Sequence, residues 1–210
     1  NIATIHAFEE TDDEIFIAME YVEGRELTEI VGANGGSPMK IEDAIDYTTQ
    51  IAAGLQSAHE KGVVHRDIKS ANIMVTEKGQ IKIMDFGLAR FRGAAQITQK
   101  GKTVGTVAYM SPEQVGGKEV DHRTDIWSFG IMLFEMLTGK RPYDRTDTMS
   151  TVMAIIREPL PDLVSLWPDA PSKLVNLIYR MLEKDPDQRI GSMRQVGAEL
   201  EAIVEHSGSG

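Results

Sequence analysis

The spacing of apolar positions changes several times along the chain, and each change marks an element. Residues 2–8 read as a strand and residues 9–14 as a polar turn. Ile15-Phe16-Ile17-Ala18-Met19 is a second strand, apolar on both faces as a buried strand is. Residues 20–24 lead away from this pair, a short helix is predicted over 25–31, and the glycine-rich stretch 32–36 ends it. From 41 to 61 the positions Ile41, Ala44, Ile45, Thr48, Ile51, Ala52, Leu55 and Ala58 recur at helical spacing, with Glu42 and Asp43 in the first turn and Gly62 as C-cap. Ile73-Met74-Val75 and Ile81-Lys82-Ile83-Met84 form a hairpin that turns at Lys78-Gly79. Residues 90–106 are polar and without period, longer than most ordered connections, and such loops in compact domains usually carry function. Residues 126–137 are apolar nearly all round, which puts a helix in the middle of the domain; Gly139 ends it and Pro142 prevents a restart. Three further helices are predicted over 148–157, 172–183 and 193–205, with Pro159, Pro161, Pro168 and Pro171 in the gap between the first two. Residues 207–210 read as a flexible tail. The pattern predicts an α+β chain: a large helical body with small β-hairpins, preceded by the last strands of a sheet.

Composition narrows the function classes. A chain of 210 residues, 41% hydrophobic and 26% charged, can bury a sizeable core as one large domain or two small ones. With 22 basic against 32 acidic residues its net charge is -10, which argues against a nucleic-acid partner, because neutralising phosphates takes basic patches. There is no cysteine, so disulfides and thiolate metal sites are excluded and a reducing, cytoplasmic location is expected. No apolar run approaches the roughly 20 residues of a membrane span, and residues 1–5 have neither a basic leader nor a signal-peptide core. Any membrane anchor of the parent protein is expected outside this segment.

The candidate chemistry is concentrated in His65-Arg66-Asp67-Ile68-Lys69-Ser70-Ala71-Asn72, with Asp85-Phe86-Gly87 a hairpin away. Apolar residues on either side, Val63-Val64 and Ile73-Met74-Val75, pin a loop that holds carboxylate, amide, lysine and arginine groups. A lone loop aspartate is ordinarily a turn or cap residue. Here several motifs stand in register: His65-Arg66-Asp67 with Asn72, Asp85-Phe86-Gly87, Ser111-Pro112-Glu113, the helix start at Asp125, and Arg189. In order and spacing they resemble the eukaryotic-type protein kinases, and the wording of residues 104–114 looks most like the bacterial Ser/Thr kinases. The resemblance spans essentially the whole chain. It implies a remnant of the small-lobe sheet over 1–19, a hinge at 20–24 and the large lobe over 25–206, in a chain whose N-terminal lobe is incomplete.

The resemblance also implies roles. Phosphoryl transfer depends on positioning and charge neutralisation. Asp67 would orient a substrate Ser/Thr hydroxyl and accept its proton, and Lys69 would neutralise charge on the γ-phosphoryl of ATP. Asn72 and Asp85 are hard oxygen ligands suited to Mg²⁺ or Mn²⁺. Lysine at position 69 is the Ser/Thr-kinase choice. Met19 would gate the adenine pocket, Glu20 and Val22 would offer backbone groups to the adenine edge, Glu23 would reach the ribose, and Met74 would floor the pocket. Arg66 would pair with a phosphate on the regulatory loop, with Thr98 and Thr103 as acceptors and Arg90 assisting. Structural roles are implied for His65 as packing behind Asp85, for Thr106 as a hydrogen-bond partner of Asp67 and Lys69, for the ion pair Glu113–Arg189, and for Asp125 as acceptor of catalytic-loop backbone bonds. His6, His59, His122 and His206 show no ligand spacing.

The family's glycine-rich phosphate loop, third-strand lysine and partner glutamate are not among these residues. Gly101-Lys102-Thr103 fails the Walker A pattern because Gln96 stands where glycine is needed. Two readings follow: a segment of an active Ser/Thr kinase whose small lobe is cut off or lies outside it, this chain being expected to be inactive alone, or a non-catalytic kinase-like binding or scaffold module. Intact Asp67, Asn72 and Asp85 favour the first. The partner expected is a protein with a Ser/Thr acceptor, alongside the parent's own N-terminal lobe.

Overall fold

The computed structural model describes residues 1–10, 15–33, 38–86 and 104–207. Its strands are β1 (Ile5–Glu10), β2 (Ile15–Met19), β3 (Arg25–Glu26), β4 (Ile73–Val75) and β5 (Ile81–Ile83). Its helices are α1 (Leu27–Ala33), α2 (Ile41–His59), α3 (Val104–Val107), α4 (Pro112–Val115), α5 (Arg123–Thr138), α6 (Thr148–Arg157), α7 (Leu163–Leu166), α8 (Ser172–Met181) and α9 (Met193–Ser207). A single 3-10 turn, Ser70–Asn72, leads into β4.

The helical body is built around α5. Thirteen of its residues, from Thr124 to Leu137, are buried, as an all-round apolar helix requires. It packs against α2 on one side and α8 on the other, and α9 closes over α2. Gly130 makes the α5–α8 contact possible: a Cβ there would lie 3.0 Å from Leu182 and 3.1 Å from Met181. Gly139 adopts φ 70, the left-handed conformation that ends the helix, and its N–H donates to the Glu135 carbonyl at 2.8 Å. Thr48 sits on the apolar face of α2 without penalty because its hydroxyl donates to the Ala44 carbonyl at 2.6 Å.

Strands β3, β4 and β5 form an antiparallel sheet in that order, with Met74 opposite both Glu26 and Lys82. Helix α2 fixes the β4–β5 turn through Gln50, whose amide accepts from Ile81 N–H and donates to the Gly79 carbonyl, each at 3.0 Å. Strands β1 and β2 form a separate antiparallel pair, Ile5 opposite Met19 and Glu9 opposite Phe16.

Several elements differ from the pattern reading. The strand predicted over 2–8 divides. Ile2 bridges in parallel to Ile83, with Ala3 N–H donating to the Ile83 carbonyl at 3.0 Å, while pairing with β2 begins at Ile5. The first residues therefore belong to the hairpin sheet of the helical body. Strand β2 is not buried: β1 is its only partner among the described residues and Phe16 is 53% exposed. The helix predicted from 25 starts at Leu27, because Arg25 and Glu26 pair with Val75 and Met74. The connection predicted to run to 106 ends in the helical turn α3, and the proline-punctuated gap holds α7. Helix α8 stops at Met181, and α9 extends through Ser207.

Candidate active site

The mount of the site is the first turn of α5. Asp125 is fully buried, and its carboxylate accepts three bonds of 2.8 Å: from His65 N–H and His59 Nε2 on one oxygen, and from Arg66 N–H on the other. A carboxylate this deep is stable only with its lone pairs satisfied, so the aspartate and the loop backbone hold each other. Arg66 has φ 68 and Asp85 has φ 57. Non-glycine residues in the left-handed region cost on the order of 1–3 kcal/mol each and persist where their surroundings over-determine them. Arg66 directly precedes Asp67, and Asp85 is itself a candidate cation ligand.

His65 ties the two segments together. Its Nε2 donates to the Met84 carbonyl at 2.8 Å, its ring packs edge-on to Phe86 at 4.5 Å, and Asp67 N–H donates to its Nδ1 at 3.2 Å. These partners fix the Nε2–H tautomer and leave Nδ1 as the acceptor. His65 is thus a brace between the loop and the residues before Asp85.

The Asp67 carboxylate receives Lys69 Nζ at 2.8 Å and Asn72 Nδ2 at 3.2 Å on the same oxygen, and Asn72 Nδ2 also donates to the Asp67 carbonyl at 2.7 Å. With its nitrogen committed to Asp67, Asn72 keeps Oδ1 as the oxygen available to a cation. Met84 N–H donates to the Asn72 carbonyl at 2.8 Å, which brings Asp85 up beside Asn72. One carboxylate and one amide oxygen suit a small hard cation that takes its other oxygens from phosphates and water. Among the described residues there is no cluster of three or more acidic, histidine or cysteine side chains that would cage a metal alone.

At the front, Glu20 Oε1 pairs with Lys82 Nζ at 2.7 Å, Glu20 Oε2 accepts from Thr4 N–H at 3.1 Å, and Glu20 N–H donates to the Thr4 carbonyl at 2.8 Å. The Lys82 hydrogen bond and then the Thr4 amide hold the Glu20 carboxyl below its ordinary value. Since Lys82 stands opposite Met74 in the hairpin, this pair brings the end of β2 to the Met74 strand. Met19 closes β2 opposite Ile5, Val22 is half-buried and Glu23 exposed.

Behind the loop, Glu113 and Arg189 form a buried two-pronged ion pair at 2.8 and 3.1 Å, and Thr124 donates to the same carboxylate at 2.7 Å. Burial alone would raise the Glu113 carboxyl, but hydrogen bonds and charge from Arg189 hold it below the ordinary range. The Arg189 guanidinium lies 5.3 Å over the Trp127 ring, Trp127 stacks on Tyr143 at 5.8 Å, and Lys184 Nζ sits 4.7 Å over Tyr143. Lys184 also donates to the Ala154 and Ile155 carbonyls of α6. A column of cations and rings therefore joins the Glu113 anchor to α6.

Sequence reasoning overlooked four partners. His59 binds Asp125. Glu135 accepts from Ser70 Oγ at 2.6 Å and from Tyr109 OH at 2.5 Å. Arg141 lies over the Tyr109 ring and donates to the Gly105 carbonyl. Gln114 donates to the Arg66 carbonyl at 2.8 Å. Each joins segments tens of residues apart, where local periodicity carries no signal. Thr106 is half-buried in α3 and makes no hydrogen bond to Asp67 or Lys69 among the described residues, Lys69 being engaged by Asp67 directly. Arg66 is exposed. Gly87, Arg90, Thr98 and Thr103 lie outside the described residues.

Comparison with known proteins shows the family. The family model described as the protein kinase domain matches residues 1–206. A probable serine/threonine-protein kinase of Clostridium acetobutylicum is 41% identical over 203 residues, covering 97% of this chain and 31% of its own length. Serine/threonine-protein kinase PrkC of Bacillus subtilis is 36% identical over 205 residues, covering 98% of this chain and 31% of its own. Serine/threonine-protein kinase PknL of Mycobacterium tuberculosis is 35% identical over 190 residues, covering 90% and 47%. The chain thus spans less than half the length of these curated relatives. No helix among the described residues is long and apolar enough to cross a membrane.

Proposed function

The chain belongs to the protein kinase family, and on that premise we propose that the protein containing it transfers the γ-phosphoryl of ATP to serine or threonine hydroxyls of a protein substrate. The observation that carries the reading is the shared carboxylate of Asp67. Lys69 and Asn72 bond the same oxygen of it, and the Met84–Asn72 backbone bond brings the chain before Asp85 to Asn72. Asp67 orients the acceptor hydroxyl and takes its proton as the bond to phosphorus forms. Lys69, already within 2.8 Å of Asp67, presents its charge to the phosphoryl oxygens. Asn72 Oδ1 and the Asp85 carboxylate hold Mg²⁺ or Mn²⁺, which when bound neutralises the phosphates of ATP. Met19, Glu20, Val22, Glu23 and Met74 receive the nucleoside, the Glu20–Lys82 pair keeping the end of β2 against the hairpin. Arg66, Arg90, Thr98 and Thr103 make the regulatory set.

The test is transfer of labelled phosphoryl from Mg-ATP to a mixed Ser/Thr protein substrate by the whole encoded protein and by its Asp67→Asn variant. Loss of the base should lower kcat roughly 10²–10⁴-fold with little change in the KM for ATP. Residues 1–210 alone should transfer little, since the preorganised charges they supply are only part of those the reaction uses. A whole protein that labels no serine or threonine, or a fully active Asp67→Asn variant, overturns the reading.

A further inference from the structure

The peptide bond between Arg66 and Asp67 is gripped on both edges. Its N–H, belonging to Asp67, donates to His65 Nδ1 at 3.2 Å, and its carbonyl, belonging to Arg66, accepts from Gln114 Nε2 at 2.8 Å. Arg66 is the residue in the left-handed conformation, and its own N–H is already held by Asp125. Rotation of this peptide plane would swing Asp67 away from Lys69 and Asn72. Of the groups that prevent it, Gln114 is the one supplied by the segment beyond the regulatory loop.

Gln114 has no freedom to do otherwise. Ser111 and Gln114 form a capping box at the start of α4: Gln114 N–H donates to Ser111 Oγ at 3.3 Å, and Ser111 N–H donates to Gln114 Oε1 at 3.0 Å. With Oε1 occupied by the cap, the Nε2 group must face the Arg66 carbonyl. Its neighbour Glu113 is clamped by Arg189, so the turn that carries Gln114 is itself anchored in the core.

Building on the kinase reading, we propose that Gln114 is a positioning residue for Asp67. It reads the seating of the α4 turn and passes it to the catalytic carboxylate through the Arg66–Asp67 peptide plane. Only an amide does both jobs. A carboxylate at this position keeps the cap, because one oxygen still accepts from Ser111 N–H, but its second oxygen meets the Arg66 carbonyl as acceptor against acceptor.

The test compares Gln114→Glu and Gln114→Met with the unsubstituted whole protein. Gln114→Glu should lower kcat about tenfold, equal to about 1.4 kcal/mol of barrier and the size of one hydrogen bond. The KM values for ATP and for peptide should stay within about twofold. Amide hydrogen exchange of residues 64–72 should quicken while that of residues 180–190 is unchanged. Gln114→Met, which also loses the bond from Ser111 N–H to the side chain of residue 114, should add a fall in melting temperature. The inference is overturned if Gln114→Glu keeps kcat within about twofold of the unsubstituted protein or leaves exchange over 64–72 unchanged. It is also overturned if exchange quickens equally over 180–190, the mark of general loosening. A failure of the kinase reading looks different: no transfer by the unsubstituted protein, with the exchange arm still deciding the role of Gln114.

Discussion

The loop from His65 to Asn72 and the strand pair β1–β2 both belong to the site proposed above but are held in different ways. The loop is held from distant helices: Asp125 of α5 takes the His65 and Arg66 N–H groups, Glu135 of α5 takes Ser70, Gln114 of α4 donates to the Arg66 carbonyl, and His59 of α2 steadies Asp125. In the strand pair, Ile5 and Phe16 are exposed, Tyr21 beyond it is 90% exposed, and the ties to the helical body lie at its ends, through residues 1–3 pairing with Ile83 and through the partly exposed ion pair Glu20–Lys82. The groups that would do chemistry sit on the over-determined side, where strained backbone at Arg66 and Asp85 can be maintained. Met19, Glu20, Val22 and Glu23, proposed above to receive the nucleoside, lie at the end of the strand pair that leaves Ile5 and Phe16 exposed.

Substitutions should reproduce this difference in size. Asp125→Ala should cost most, about 3–5 kcal/mol, because it strands the buried His65 N–H, the part-buried Arg66 N–H and His59 at once. Chemical denaturation would show the loss as a lower midpoint at unchanged slope. A midpoint within error of the parent would mean that the loop is not held from α5.

Acid should reveal the second anchor. The Glu113 carboxyl is held below its ordinary value of 4.5. A lowered carboxyl stabilises the folded state above that ordinary value and loses the contribution as pH falls through the lowered one, so stability should decline below about pH 4.5. In Glu113→Gln the neutral plateau should be lower and this part of the acid limb flatter, as seen in melting temperature against pH. Parallel acid limbs in the two proteins would remove Glu113 as the cause.

The smallest effect belongs to the strand pair. Phe16→Ser should change stability by no more than about 0.5 kcal/mol while reducing self-association measured by light scattering. A large destabilisation would show β2 to be packed as tightly as the loop, and the contrast between the two regions would disappear.

The same contrast explains what could be read from the residues alone. Periodicity placed α2, α5 and α6 and the hairpin turning at Gly79, because each of these is decided by its own local pattern. Motif spacing pointed to Asp67, Asn72 and Asp85. Periodicity missed β3, whose two residues are strand only because Val75 and Met74 lie beside them, and it misjudged β2, whose apolar faces could not say whether a covering layer was present. It also passed over His59, Gln114 and Glu135. A histidine screened for metal ligation, a glutamine at the third position of a cap and a glutamate in an apolar helix have nothing local to mark them. Their partners lie 66, 48 and 65 residues away.

The column from Arg189 to Lys184 gives the protein a built-in optical gauge. Trp127 is fully buried between a guanidinium and a tyrosine ring, whereas the other tryptophan, Trp167, is half-buried beside α7. Indole emission shifts with the charge and polarity around the ring, so Trp127 is expected to emit to the blue of Trp167. A change in that component would report, without any added label, that Arg189 has left Trp127 and therefore that Glu113 has lost its partner.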